Sequence, residues 1–138
     1  MKQLLFSFLL STLVMNAQSQ SPETIIKNFF TGYEKHDWNM VAAQMAGDFT
    51  FTSPANDDHI PVTKYHEKCW PTNTHFKKVV YQKIMTEGNN AFVMYDINTT
   101  DNKLVHNVEY WICKNGKIKS IECFFGTGEH YPGRSNDK

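Results

Sequence analysis

The sequence predicts an α+β fold: a cone-shaped, curved antiparallel sheet closed by N-terminal helices around an internal pocket. Three observations lead there. Residues 22–45 repeat apolar side chains at helical spacing. Residues 76–126 alternate apolar and polar side chains in four strand-like runs. The last two runs meet at Asn115-Gly116, the pair favoured by a type I′ hairpin turn because both central residues need φ > 0.

A chain of 138 residues suits one domain. Its formal net charge is zero, so the basic excess that nucleic-acid binding relies on is missing. Aromatic residues reach 14%, with ten Phe, which suits an aromatic-lined core or cavity. Residues 1–19 read as a signal peptide: Lys2 precedes an apolar run over 4–15, and the small residues Ala17 and Ser19 follow. That run is too short to span a bilayer as a helix. The expected product is an exported protein, periplasmic or secreted, with a domain over 20–126 and a polar, Gly-rich tail over 127–138. Three Cys leave one thiol over in any disulfide scheme, and three buried free thiols are the simpler reading.

In chain order, Ser21-Pro22-Glu23 is a helix start, with cap, first-position Pro and first-turn carboxylate in place. Ile25, Ile26, Phe29, Phe30 and Tyr33 form the stripe of this helix. Asp37 caps a second helix reaching Met45, which Gly47 stops. A strand follows over 48–53, ended by Pro54. Residues 55–60 read as irregular. Thr63 is expected to cap a short helix ending before Pro71, and 72–74 to be loop. Strands are then expected over 76–86, 91–100 and the two arms of the final hairpin. On the strand over 91–100, Val93, Tyr95 and Ile97 share one face, and Phe92, Met94 and Asp96 the other.

A regular hairpin around Asn115-Gly116 sets Cys113 against Ile118, Ile112 against Lys119 and Glu109 against Glu122. One face then carries Val108, Tyr110, Ile112, Ile121, Cys123 and Phe125, expected to be the pocket face. Glu109, Trp111, Cys113, Ile118 and Phe124 fall on the opposite, outer face. Cys113 and Cys123 are thereby expected on opposite faces.

These features together resemble the nuclear transport factor 2-like superfamily, in its SnoaL-like branch. The likeness rests on the paired helices, the strand opening Gly47-Asp48-Phe49, the helix over the pocket, and the ending from Asn115-Gly116-Lys117-Ile118 to Phe125-Gly126. It implies a cystatin-like α+β barrel, and a homodimer through the outer sheet face. The superfamily spans ketosteroid isomerase-like enzymes, polyketide cyclases, dehydratases, binding proteins and transport factors. Isomerase chemistry needs an Asp base before the Pro that ends the first strand, a Tyr on the first helix and a protonated acid on a late strand. By spacing, those positions hold Ser53, Phe29 and Val108, and all three depart from the pattern.

Asp57, Asp58 and His59 are the densest titratable set near the expected pocket mouth, and an imidazole beside a carboxylate is an acid–base pair. Their alternative is a solvated loop capped by an Asx hydrogen bond. Phe51, Tyr65, Cys69, Trp70, Tyr110 and Phe125 are expected to line a pocket for a small apolar or aromatic molecule, or else to fill the cone. Asp96 joins them if it faces inward. His59, His66, Cys69 and His75 match no zinc spacing, so neither metal nor cofactor is expected. Binding without isomerase-type turnover is the favoured function. The alternatives are a lyase, isomerase or hydrolase using a His–Asp pair, and a protein-interaction module.

Overall fold

The computed structural model describes residues 20–124. The expected signal peptide, the tail and Phe125 lie outside these residues. Helix α1 (Pro22–Glu34) begins where the cap signals place it: the Ser21 hydroxyl accepts the Thr24 N–H at 3.2 Å. Helix α2 (Trp38–Ala42) is capped by Asp37, whose carboxylate accepts the Asn39 and Met40 N–H groups. It is shorter than expected, because Met45 already belongs to strand β1 (Met45–Ser53). The segment expected to be irregular contains strand β2 (Asp57–Pro61), which returns antiparallel along β1. Helix α3 (Val62–Lys68) starts after Pro61 without a side-chain cap, so Thr63 does not cap it. A 3-10 turn (Trp70–His75) occupies the expected loop. Strands β3 (Phe76–Glu87), β4 (Asn90–Thr99), β5 (Leu104–Lys114) and β6 (Lys117–Phe124) form a meander.

The curved sheet runs β2-β1-β6-β5-β4-β3. It is antiparallel except for the β1–β6 pair, where the chain's first and last strands lie parallel. The β5–β6 turn forms as expected, with φ of 53° at Asn115 and 73° at Gly116. Its register then slips. Cys113 pairs with Ile118, but Ile112 pairs with Ser120, leaving Lys119 as an extra residue in β6. The bulge turns over the side-chain alternation of one strand relative to the other. Glu109 therefore opposes Cys123 rather than Glu122.

The expected pocket face of β5 is corrected accordingly. Trp111 and Ile118 are fully buried and Cys113 nearly so, on the inner face with Glu109, Ile121 and Cys123. Cys113 and Cys123 share that face, and all three Cys are free thiols. On the other side, Met85 pairs with Phe92 and Phe92 with Tyr110, while Met94 pairs with Val108 and Val108 with Phe124. Met85 (55%), Phe124 (52%) and Phe92 (47%) are the most open parts of this apolar surface.

Helix α1 crosses the inner face and sets the core. Phe29 meets Trp111 edge-on at 5.1 Å, and Phe30 lies 4.6 Å from Tyr95. Tyr65 of α3 packs against Phe49 and Phe51 at 5.6 and 5.0 Å. The α1–α2 corner depends on Gly32, where an added Cβ would lie 2.6 Å from Val41 Cγ2 and 2.9 Å from its backbone nitrogen. At its end, the Glu34 carboxylate accepts the Val79 N–H at 2.7 Å and ties the helix to β3.

Trp111→Ala is expected to cost about 3–5 kcal/mol of unfolding free energy, since the indole is wholly buried. Gly32→Ala is expected to cost roughly 1–3 kcal/mol through overpacking against backbone that cannot yield. Urea unfolding followed by far-ultraviolet circular dichroism measures both.

Candidate functional site

The β6 bulge delivers a carboxylate to the inside of the cone. Glu109 is 7% exposed on the inner face of β5, among aromatic residues. Trp111 Nε1–H donates to its Oε2 at 2.9 Å. The Tyr95 hydroxyl and Cys123 thiol approach the carboxyl from the two neighbouring strands and favour its charged form. Asn107 Nδ2 donates to the Tyr95 hydroxyl oxygen at 3.2 Å. Because an amide nitrogen only donates, this contact leaves the Tyr95 proton for Glu109. No ion pair joins Glu109 to a cation among the described residues.

Burial without a countercharge pushes Glu109 up to about 7, against the opposing pull of the Tyr95, Cys123 and Trp111 donors. The carboxyl thus stands near half-ionisation at neutral pH. Within electrostatic reach of it, the buried Tyr33 and Tyr65 hydroxyls share a hydrogen bond of 2.7 Å. Burial raises both phenols, so both remain protonated.

Two of the departures from the isomerase pattern look different in three dimensions. Val108 lies on the outer face, but the next residue supplies a late-strand carboxyl. Phe29 lacks a hydroxyl, but Tyr33, one turn further along α1, brings one inside. At the end of β1, Ser53 Oγ–H donates to Asp57 Oδ2 at 2.7 Å, and the Lys68 ammonium pairs with the same carboxylate. Burial raises the Asp57 pKa, but the Lys68 and Ser53 contacts outweigh it and hold the carboxylate below its ordinary range.

The remaining sequence candidates separate. Asp57 is buried in that clip, whereas Asp58 and His59 form an exposed pair at 2.5 Å, with side chains 89% and 70% exposed. The three do not converge. Phe51 and Tyr65 are in the core, and Cys69 and Trp70 are half-buried beside them. Burial, followed by the Asp57 charge, pushes the Cys69 thiol up to about 11, which leaves it a poor nucleophile. Tyr110 lies on the outer face against Phe92, at 4.7 Å. Asp96 is on the outer side of the sheet too but is buried there (5% exposed), bonded to His106 Nδ1 at 2.5 Å and accepting from Gln82 Nε2 at 2.6 Å. Among the described residues, no cluster of three or more His, Cys, Asp or Glu is arranged for a metal ion. His66 stacks on Trp38 at 4.2 Å instead.

A curved, unclosed six-stranded sheet wrapped around a long first helix, with a short helix packed on its first two strands, is the nuclear transport factor 2-like fold. Solved structures share it. An NTF2-like protein of unknown function from Cytophaga hutchinsonii is 21% identical, with a TM-score of 0.64 over 81% of this chain and 95% of that one. A protein described as a candidate ketosteroid isomerase from Kribbella flavida is 15% identical, with a TM-score of 0.62 over 80% and 82%. TerC, co-crystallised with polyporic acid, is 14% identical, with a TM-score of 0.59 over 77% and 92%. Neither a protein-family model nor a curated protein sequence matches the chain.

The raised Glu109 pKa makes stability depend on pH. The folded state holds this proton more tightly than the unfolded chain does. Its contribution is therefore complete below pH about 4.5 and is lost as pH rises through about 7. The loss is on the order of 3 kcal/mol. Chemical unfolding of the wild type from pH 4.5 to 8 is expected to show this decline, and Glu109→Gln is expected to flatten it.

Proposed function

We propose that the chain is a small-molecule-binding domain whose ligand enters beside α3 and is anchored by Glu109. The observation that carries this reading is a buried carboxyl with no cationic partner among the described residues, accepting from the Trp111 indole in an aromatic interior. The half-buried apolar residues Trp38, Ile60, Val62, Cys69 and Trp70 pack against the core and would line such an entry. Such surroundings suit a flat, apolar or aromatic molecule carrying one polar group able to hydrogen-bond Glu109. The co-crystallisation of TerC with polyporic acid is in keeping with such a ligand.

One observation favours a second reading, acid–base turnover. A carboxyl near pH 7 can both give and take a proton at working pH, and two phenols are at hand to stabilise developing charge. In that reading Glu109 takes the role first considered for the His59 pair. The apolar outer face supports a homodimer, built from Phe92, Met94 and Phe124 rather than from Trp111 and Ile118. The leader-like residues 1–19 support export. No helix among the described residues is long and apolar enough to cross a membrane.

A screen of aromatic and polycyclic acids, ketones and phenols, read by tryptophan fluorescence and thermal shift, tests the site. A genuine ligand is expected to stabilise the wild type and to lose at least about tenfold in affinity with Glu109→Gln, by loss of a buried charge-assisted hydrogen bond. Product formation abolished by Glu109→Gln would establish turnover, and unchanged binding would remove Glu109 from the site. For the dimer, Phe92→Glu with Phe124→Glu is expected to convert a dimeric sedimentation boundary to a monomeric one at micromolar protein. A monomeric wild type would overturn the interface.

A further inference from the structure

A separate groove of 210 Å³ lies on the outside of the sheet beside the β4–β5 turn, lined by Lys77, Lys78, Asn98, Thr99, Asn102 and Lys103. Its composition follows from a backbone irregularity. Consecutive residues of a regular strand point to opposite faces. Here Phe76 pairs with Thr99 and Lys78 with Asn98, leaving Lys77 as an extra residue in β3. A bulge of this kind re-aims a side chain, and both lysines line the same groove.

The turn adds a third ammonium. Thr99 N–H donates to the Lys103 carbonyl at 2.9 Å, and Lys103 N–H to Thr99 Oγ1 at 2.8 Å, which closes the loop and fixes Lys103 next to β4. At the rim, Asp101 pairs with the Lys103 ammonium at 2.9 Å and accepts the Thr99 hydroxyl at 2.5 Å. Those contacts, the hydroxyl first, hold Asp101 down at about 2, so it stays ionised. Lys27, Lys64, Lys68 and Lys119 likewise each have a carboxylate partner. Lys77 and Lys78 have none among the described residues, as is also true of Lys35, Lys83, Lys114 and Lys117; what sets Lys77 and Lys78 apart is that both line one groove. Three ammonium groups against one carboxylate leave two net positive charges here, in a chain whose formal charge is zero. Ammonium groups of this kind act as point charges towards phosphate, and two uncompensated charges match a dianion.

We propose that this groove binds a phosphate-type anion, with Lys77 and Lys78 as its principal cations and Lys103, Asn98 and Asn102 as additional donors. The anion is free, esterified on a small molecule, or the headgroup of a lipid. The groove is distinct from the Glu109 site, and the two stand or fall separately.

The test is a titration of the isotopically labelled protein, followed by backbone amide shifts. The probes are inorganic phosphate, glycerol 3-phosphate, and vesicles of phosphatidylglycerol or of phosphatidylcholine. The double variant Lys77→Ala/Lys78→Ala and the control Lys64→Ala are run beside the wild type. Both variants change exposed side chains, and their unperturbed spectra confirm folding. Saturable shifts confined to residues 77, 78 and 98–104 are expected. They should weaken at least about tenfold in the double variant, stay in the control, and diminish as salt rises to about 0.3 M. Saturation by the two soluble phosphates assigns a soluble ligand. Co-sedimentation with phosphatidylglycerol vesicles only, lost in the double variant, assigns a headgroup. Shifts that fail to saturate, spread over all lysines or survive in the double variant, without vesicle binding, overturn the proposal.

Discussion

Cys113 pairs with Ile118, and the next pair outward joins Ile112 to Ser120, so Lys119 has no opposite residue in β5. Most of the interior depends on that pairing. Ile118 and Ile121 are three residues apart and both fully buried, which a regular strand does not allow. With both facing inward, β5 must present Cys113, Trp111 and Glu109 to the cone. Trp111 then becomes the surface on which Phe29 and Phe30 of α1 rest, at 5.1 and 5.8 Å. A large apolar gain and a polar cost thus arrive on one strand face. The indole of Trp111 offsets part of that cost by donating to the carboxylate two residues away.

The interior carboxyl is best understood as a balance of opposing effects. Burial disfavours charge, and three neutral donors favour it. Burial prevails by enough to bring the group up to about 7, so at neutral pH small changes decide the protonation state. A ligand offering a hydrogen-bond donor would favour the carboxylate, and one offering only an acceptor would favour the acid. This coupling makes the site sensitive to the polarity of whatever reaches it.

Much of the architecture was legible in the sequence because it rests on local chemistry. Ser21-Pro22-Glu23 and Asp37 act at short range, and Asn115-Gly116 dictates its own backbone. The four-strand meander and the division of β4 into a Val93, Tyr95 and Ile97 face and a Phe92, Met94 and Asp96 face also follow from alternation, but which of the two faces the core does not. The strand at 57–61 was hidden because its pairing with β1 is a tertiary contact and its residues include two Asp and a Pro. The site was hidden for another reason. Simple alternation has no signal for a bulge, and one extra residue exchanged Glu109 and Trp111 with Val108 and Tyr110. A pointer was present: a regular register would have left Trp111, Ile118 and two opposed Glu residues in water, a costly arrangement. His59 drew notice because it follows two carboxylates in sequence, yet it sits on the edge strand β2 with a positive φ of 49° and a side chain 70% exposed.

The tie between Glu34 and Val79 has a consequence beyond holding α1 in place. Strand β3 is twelve residues long and lies at the margin of the sheet, where unpaired amides invite a foreign strand to add on. The Glu34 carboxylate occupies one of those amides, and two extra residues, Lys77 and Gln82, interrupt the regular spacing that an incoming strand would have to match. The same length of chain that gives the cone its wall is thereby made a poor template for fibril growth, which would matter most while the chain is still folding at high local concentration.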